Sequence, residues 1–138
     1  SIPAALKSYG LPSEIAMVEG KKGMAMIQNI LSDKVGQWIL DDHKEARCEY
    51  SLTQIINNTY QSKVIDRTFI DKNNVRWIID YKTGNHTGAD LKTFFNNEKD
   101  RYRKQLEQYE NIFKLSGETR KIKKALYYPM HKELLEIE

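Results

Sequence analysis

Two acids interrupt a pair of hydrophobic runs. Asp66 stands in Val64-Ile65-Asp66-Arg67-Thr68-Phe69-Ile70, Asp80 in Val75-Arg76-Trp77-Ile78-Ile79-Asp80-Tyr81, and Lys82 follows Asp80 by two positions. Both runs are rich in β-branched and aromatic residues and flank Asp71-Lys72-Asn73-Asn74, which predicts a β-hairpin. Side chains i and i+2 of a strand share a face, so Asp80 and Lys82 project together from the end of an apolar strand. Two carboxylates converging there suit a hard cation such as Mg2+ (or Mn2+), which prefers oxygen ligands and retains several waters. Such a cation activates a water and neutralises charge on a phosphate. A lysine beside it orients or deprotonates that water, or steadies developing negative charge. The same residues also suit a strand-end ion pair, Asp80 with Lys82 or Asp66 with Arg67, worth about 0–1 kcal/mol.

Whether the acids meet depends on the hairpin loop. A two-residue turn at Asn73-Asn74 makes partner numbers sum to 147 and sets Asp66 against Tyr81, on the wrong face. A three-residue loop, 72–74, makes them sum to 146 and sets Asp66 opposite Asp80. Their Cβ atoms are then about 4.5–5.5 Å apart. Three-residue loops end in a left-handed residue, a conformation Asn74 tolerates. An odd-numbered loop is therefore expected, with one carboxyl holding its proton more tightly than usual.

The flanking sequence supplies the elements that must position this hairpin. Ser13 can cap a helix that carries Ala16, Met17, Met24, Ile27, Ile30 and Leu31 at helical spacing and ends at Ser32-Asp33. Gly20 and Gly23 weaken it by about 1 kcal/mol each relative to Ala. A strand is expected at 46–53, a polar loop at 54–61 and an irregular connection at 83–90. A long helix follows at 98–115, with Tyr102, Leu106, Tyr109 and Phe113 on one stripe. Ser116-Gly117 stops it, and 123–128 forms a last strand before Pro129. The expected fold is α/β: a mixed β-sheet core flanked by helices, in the order α-β-β-β-α-β.

Composition bounds the rest. The chain has 138 residues, with 22 Lys+Arg against 19 Asp+Glu, 40% hydrophobic and 30% charged residues. That suits one folded domain, 1–138, with a helical part at 1–45 and a strand-rich part at 46–128 that holds both acids. No apolar run is long enough for a membrane helix, and no secretory signal is visible. A single cysteine, Cys48, excludes an internal disulfide, and no Cys/His cluster offers zinc. A cytoplasmic location is expected. Gly20-Lys21-Lys22-Gly23 lacks the ending of a phosphate loop. Between Lys92 and Lys132 there are eleven basic residues against five acidic ones. This permits contact with a polyanion and equally describes a solvated helix face with a charged turn.

Taken together, Asp66-Arg67-Thr68-Phe69, Trp77-Ile78-Ile79-Asp80-Tyr81-Lys82-Thr83-Gly84 and Tyr102-Arg103-Lys104-Gln105-Leu106-Glu107-Gln108-Tyr109 resemble the PD-(D/E)XK nuclease superfamily. The nearest likeness within it is the RecB-type nuclease domain at the C-terminus of UvrD-like and AddA-like helicases. The resemblance covers about 47–128. It implies a restriction-endonuclease-like fold, with Asp66 and Asp80 as metal ligands, the Tyr81 carbonyl adding an oxygen, and Lys82 as the catalytic lysine. Gln105 and Tyr109 match a helical motif beside the active site, one turn apart on one face. Tyr109 also falls on the apolar stripe and equally reads as core. Glu49 matches an upstream acidic position and otherwise reads as a solvated strand residue. RecB-type domains also carry a histidine in a Gly-x-x-x-His context, and none follows Gly20 or Gly23 here. His43, in a polar turn, is expected to be solvent-facing, and His86, in a loop, structural or solvent-facing. Because the chain starts at Ser1 rather than Met, it is expected to be a fragment of a longer helicase–nuclease, with that histidine upstream.

The resemblance thus implies a Mg2+-dependent exonuclease domain that hydrolyses DNA with a helicase partner in double-strand break repair or recombination. Lys92, Arg101, Arg103 and Lys104 are candidates for guiding DNA through phosphate contacts. The alternative is an inactive DNA-binding or scaffolding domain that keeps the fold.

Overall fold

A computed structural model of the chain describes Leu11, residues 13–88 and residues 90–138. Residues 1–10 and 12 of the expected helical part, and residue 89 of the expected irregular connection, lie outside the described residues. Among the described residues three helices come first: α1 (Ser13–Ala16), α2 (Gly20–Ser32) and α3 (Lys34–Leu40). Strands β1 (Lys44–Ile56), β2 (Thr59–Ile70) and β3 (Arg76–Tyr81) follow, then helix α4 (Leu91–Leu115) and strands β4 (Ile122–Tyr128) and β5 (Glu133–Ile137). The strands form one mixed sheet in the order β1-β2-β3-β4-β5. Only β3 and β4 are parallel, joined by α4 as the crossover.

Strict period-two alternation on β3 divides the core. Trp77, Ile79 and Tyr81 pack with Phe69, Ala125 and Tyr127 under Ile15, Met26, Ile27, Ile30 and Ile39 of the first three helices. On the other face Ile78 joins Leu52, Ile65, Leu126 and Tyr128 under Leu106, Tyr109, Ile112 and Phe113 of α4. A strand buried on both faces reads as a nearly continuous hydrophobic run, which is how β3 reads.

Several boundaries differ from expectation, each for a local reason. The first helix is split: at Gly23 an added Cβ would lie 1.8 Å from the Val18 carbonyl oxygen. This glycine admits a close backbone approach rather than merely weakening a helix. Asp33 ends α2 and caps α3, accepting from the Gly36 N–H at 3.3 Å. Residues 54–61, expected as a loop, are strand and tight turn. Asn57 and Asn58 both take positive φ (51° and 61°), as a two-residue hairpin turn requires. Helix α4 starts seven residues before the expected 98, because the Asp90 carboxylate accepts from both the N–H and the hydroxyl of Thr93 at 3.0 and 2.7 Å. Strand β5 was not expected; it pairs antiparallel with β4 and buries Leu135 and Ile137. No helix of the described residues is long and apolar enough to cross a membrane.

Candidate active site

The site is set by the β2–β3 loop. Arg67 pairs with Ile79, Thr68 with Ile78, Phe69 with Trp77 and Ile70 with Arg76, so partner numbers sum to 146. The loop closes with the Asp71 N–H donating to the Val75 carbonyl at 2.9 Å and the Asn74 N–H to the Asp71 carbonyl at 3.0 Å. Asn74 sits at φ 63°. This is the odd-numbered loop with a left-handed last residue. The Asp71 carboxylate fixes it, accepting from the N–H groups of Asn73 and Val75 and from Trp77 Nε1 at 2.8, 3.0 and 2.8 Å. Burial alone would raise Asp71, and these donors bring it below the usual carboxylate range.

The register carries Asp66 to the position across from Asp80, at the end of β3. Both are buried, each about 7% exposed. Asp66 Oδ2 accepts from the Tyr81 N–H at 2.8 Å. Burial foremost, then the hydrogen bond and the charge of Asp80, push Asp66 up to about 9 against the lowering effect of that N–H. Glu14 of α1 adds a further upward push. Lys82 Nζ lies 2.9 Å from Asp80 Oδ2 and 3.7 Å from the centre of the Tyr102 ring. Asp66, Asp80 and Lys82 are therefore one group, in a buried position where a strand-end ion pair alone would leave Asp66 uncompensated.

The helical pair stands beside it. Gln105 Nε2 donates to the Tyr109 hydroxyl at 2.9 Å. Tyr109 is raised to about 12 by burial first and by the charge of Asp80 next. Its ring also belongs to the α4-side core, as its place on the apolar stripe expects. Glu49 stands in the β1 ladder between Cys48 and Tyr50, which pair with Arg67 and Ile65. Its carboxylate accepts from the N–H and the hydroxyl of Ser13 on α1, and its backbone is left-handed at φ 50°. Neither contact follows from the alternation read in the sequence.

A cleft of about 490 Å3 opens beyond Lys82, lined by Glu14, the 81–86 segment, Phe94, Glu98, Arg101 and Tyr102. Of the four basic residues expected to guide DNA, Arg101 lines this cleft. Lys92 and Lys104 are exposed on α4. Arg103 is paired with Asp100 at 2.6 Å. A larger cavity of about 990 Å3 lies between α1 and α2, and among the described residues that line it Glu19 is the one carboxylate; the smaller cleft adjoins the paired acids through Tyr81 and Lys82, which follow Asp80 in the chain. Glu14 is the site residue that the sequence reading missed; its only signal there was its place in a first helical turn. His43 corrects an expectation: it is half-buried, stacked on Phe69 at 4.0 Å, with Nε2 2.6 Å from the Trp38 carbonyl. His86 is structural as well, its ring stacked on Phe94 at 4.6 Å and its N–H donating to His131 Nε2 at 3.1 Å.

Among the described residues there is no group of three or more His, Cys, Asp or Glu side chains placed to hold a metal ion. Two adjacent carboxylates, one of them driven toward its protonated form, nevertheless fit Mg2+, which is held by one or two carboxylates and keeps several waters. No protein-family model matches the sequence, and no curated protein matches it.

Proposed function

We propose that this chain is a metal-dependent DNA nuclease domain with a restriction-endonuclease-like fold, hydrolysing phosphodiester bonds in company with a DNA helicase in the cytoplasm. The observation that supports this reading best is the burial of Asp66 beside Asp80, with Lys82 on Asp80 and, among the described residues, no cation on Asp66. Like charges this close are disfavoured unless a positive species takes them up. Asp66, Asp80 and the Tyr81 carbonyl would hold Mg2+ or Mn2+. The ion, when bound, supplies Lewis-acid polarisation of the phosphate and a more acidic water.

The chain's own residues do the rest. The Asp66 carboxyl gives up the proton it holds in the metal-free state, so its pKa couples metal binding to pH. Lys82 Nζ, fixed at Asp80, is placed to orient the attacking water or to steady negative charge on the phosphate. Gln105 and Tyr109 support the floor of the site from α4. Arg101, on the cleft wall, contacts backbone phosphates without reading sequence. A second reading, a DNA-binding domain that keeps the fold without the chemistry, is favoured by the lack of a three-ligand group among the described residues.

Degradation of linear DNA in Mg2+ separates the two. Wild-type protein is expected to cleave, to stop on chelation, and to lose about three orders of magnitude in kcat with Lys82→Ala, while the circular dichroism spectrum is unchanged. A Lys82→Ala protein that degrades DNA at the wild-type rate removes the lysine from the mechanism. DNA binding without cleavage by the wild type favours the second reading.

A further inference from the structure

Lys82 is held from two sides. Asp80 Oδ2 lies 2.9 Å from its ammonium. On the other side the ammonium sits 3.7 Å from the centre of the Tyr102 ring. That ring comes from α4, three residues before Gln105, and packs against the α4-side core. The Arg101 guanidinium lies 5.2 Å from the same ring centre. Among the described residues the other charged or titratable groups lining the cleft are Glu14, Tyr81, His86 and Glu98, and Asp66 interacts with Asp80.

The two anchors differ in kind. The carboxylate of Asp80 is the one that the proposed cation would share, and a carboxylate engaged by a cation holds an ammonium less tightly. A long four-carbon stem is not fixed by one weakened ion pair. The ring face attracts the ammonium through its quadrupole, needs no carboxylate, and is rigidly seated by the helix.

We propose that Tyr102 is the positioning residue for Lys82, its ring face keeping the ammonium over the cleft while Asp80 is engaged. The catalytic consequence rests on the nuclease reading; the contact itself does not. The hydroxyl has no part in it, so Tyr102→Phe keeps the function and Tyr102→Leu loses it.

The test reads the contact and the activity separately. In protein carrying 13C-labelled lysine, the Cε protons of Lys82 lie in the ring current and are expected upfield of the other lysines. Their assignment follows from their loss in Lys82→Arg. The upfield position is expected to persist in Tyr102→Phe and to vanish in Tyr102→Leu. Cleavage in Mg2+ is expected to keep its kcat in Tyr102→Phe. In Tyr102→Leu kcat falls roughly 10- to 100-fold with KM for DNA little changed, a split that lost DNA binding would not give. Should Tyr102→Leu fail to fold, Tyr102→Met carries the same expectation. Upfield protons absent from the wild type, or unmoved in the Leu variant, overturn the proposal. So does wild-type cleavage with an unchanged kcat in the Leu variant, which leaves the nuclease reading standing. An uncleaved substrate with the ring-current shift intact overturns the nuclease reading and the catalytic consequence with it, and supports Tyr102 as the residue that positions Lys82.

Discussion

Strand β3 buries charge at both ends and treats it in opposite ways. At its start, the Arg76 guanidinium donates to Glu118 at 2.9 Å and lies 3.4 Å from both Glu45 Oε1 and Thr68 Oγ1. It also sits over the Phe113 ring at 5.0 Å. Arg120 closes on the second oxygen of Glu118 at 2.9 Å. At the strand's end, Asp66 and Asp80 are buried side by side and Lys82 is shared with only one of them. The first arrangement is what a fold does with a buried charge it must tolerate: each sign meets the other and the donors are satisfied. The second costs stability, because burial and the neighbouring carboxylate hold Asp66 toward its neutral form.

The two ends therefore respond to pH with opposite sign. Burial tends to raise Glu118, and the Arg76 and Arg120 partners bring it below the usual range. A depressed carboxyl contributes stability that is present above its unfolded pKa and lost as the pH falls through the folded value. Asp66 is raised to about 9. Between about 4 and about 9 the folded chain keeps a proton that the unfolded chain has released, so this end loses stability as pH rises.

Breaking the compensated end should have the largest effect on stability. Arg76→Met leaves Glu118 and Glu45 without their central partner and is expected to cost about 3–5 kcal/mol in urea denaturation. Below its melting temperature the variant should leave the proposed cleavage unaffected, because Arg76 and Lys82 lie at opposite ends of β3. A loss under about 1 kcal/mol would mean that this network is no more than a solvated ion pair.

The strained end should move the other way, and by less. Asp66→Asn retains an oxygen for the Tyr81 N–H and is neutral in both states, so folding no longer has to take up the proton that burial demands of Asp66. It is expected to stabilise the protein by about 1–3 kcal/mol at pH 8, the gain shrinking toward pH 4, as thermal melts across that range would record. Millimolar Mg2+ should raise the wild-type Tm and leave the variant's unmoved, since binding to the folded state alone stabilises it. A variant less stable than wild type at pH 8 would show that the Asp66 charge is compensated after all.

The same contrast explains what the sequence makes legible. The Asp66–Asp80 register could be counted in advance because the hairpin is local, and Asn74 and the alternation around it leave few loop lengths. Asp80 and Lys82 share a strand, so their pairing needed only the period of two. The Arg76 network could not be read: Glu45, Thr68 and the pair Glu118 and Arg120 come from three separate stretches, and only the folded sheet and the crossover helix bring them to Arg76. Glu14 escaped for the same reason, as did the partnership of Glu49 with Ser13 across 36 positions. The early start of α4 was legible in principle, since Asp90-Leu91-Lys92-Thr93 carries a capping aspartate. The aromatic pair Phe94-Phe95 extends the stripe that was read only from Tyr102 onward.

The smallest effect tests the device on which both ends depend. The loop between β2 and β3 fixes the register that sets Asp66 across from Asp80 and, at the other end, Ile70 across from Arg76. Asn74 takes φ 63° there while its N–H donates to the Asp71 carbonyl at 3.0 Å. Its side chain accepts from Arg120 Nε at 2.9 Å, an exposed contact of little net value. In the left-handed region a β-carbon crowds the following carbonyl, a strain that asparagine tolerates better than alanine and that glycine avoids. Asn74→Ala is expected to cost about 1 kcal/mol, and Asn74→Gly to stay within about 0.5 kcal/mol of wild type. Asp71 still clamps the loop in both through the Asn73 and Val75 N–H groups and Trp77 Nε1, so the register holds. The fall in stability between pH 4 and pH 9 should then keep its wild-type slope in both variants. A slope that disappears in Asn74→Ala while the protein stays folded would mean that Asp66 has left Asp80, and that the left-handed residue, rather than the Asp71 clamp, sets the geometry of the site.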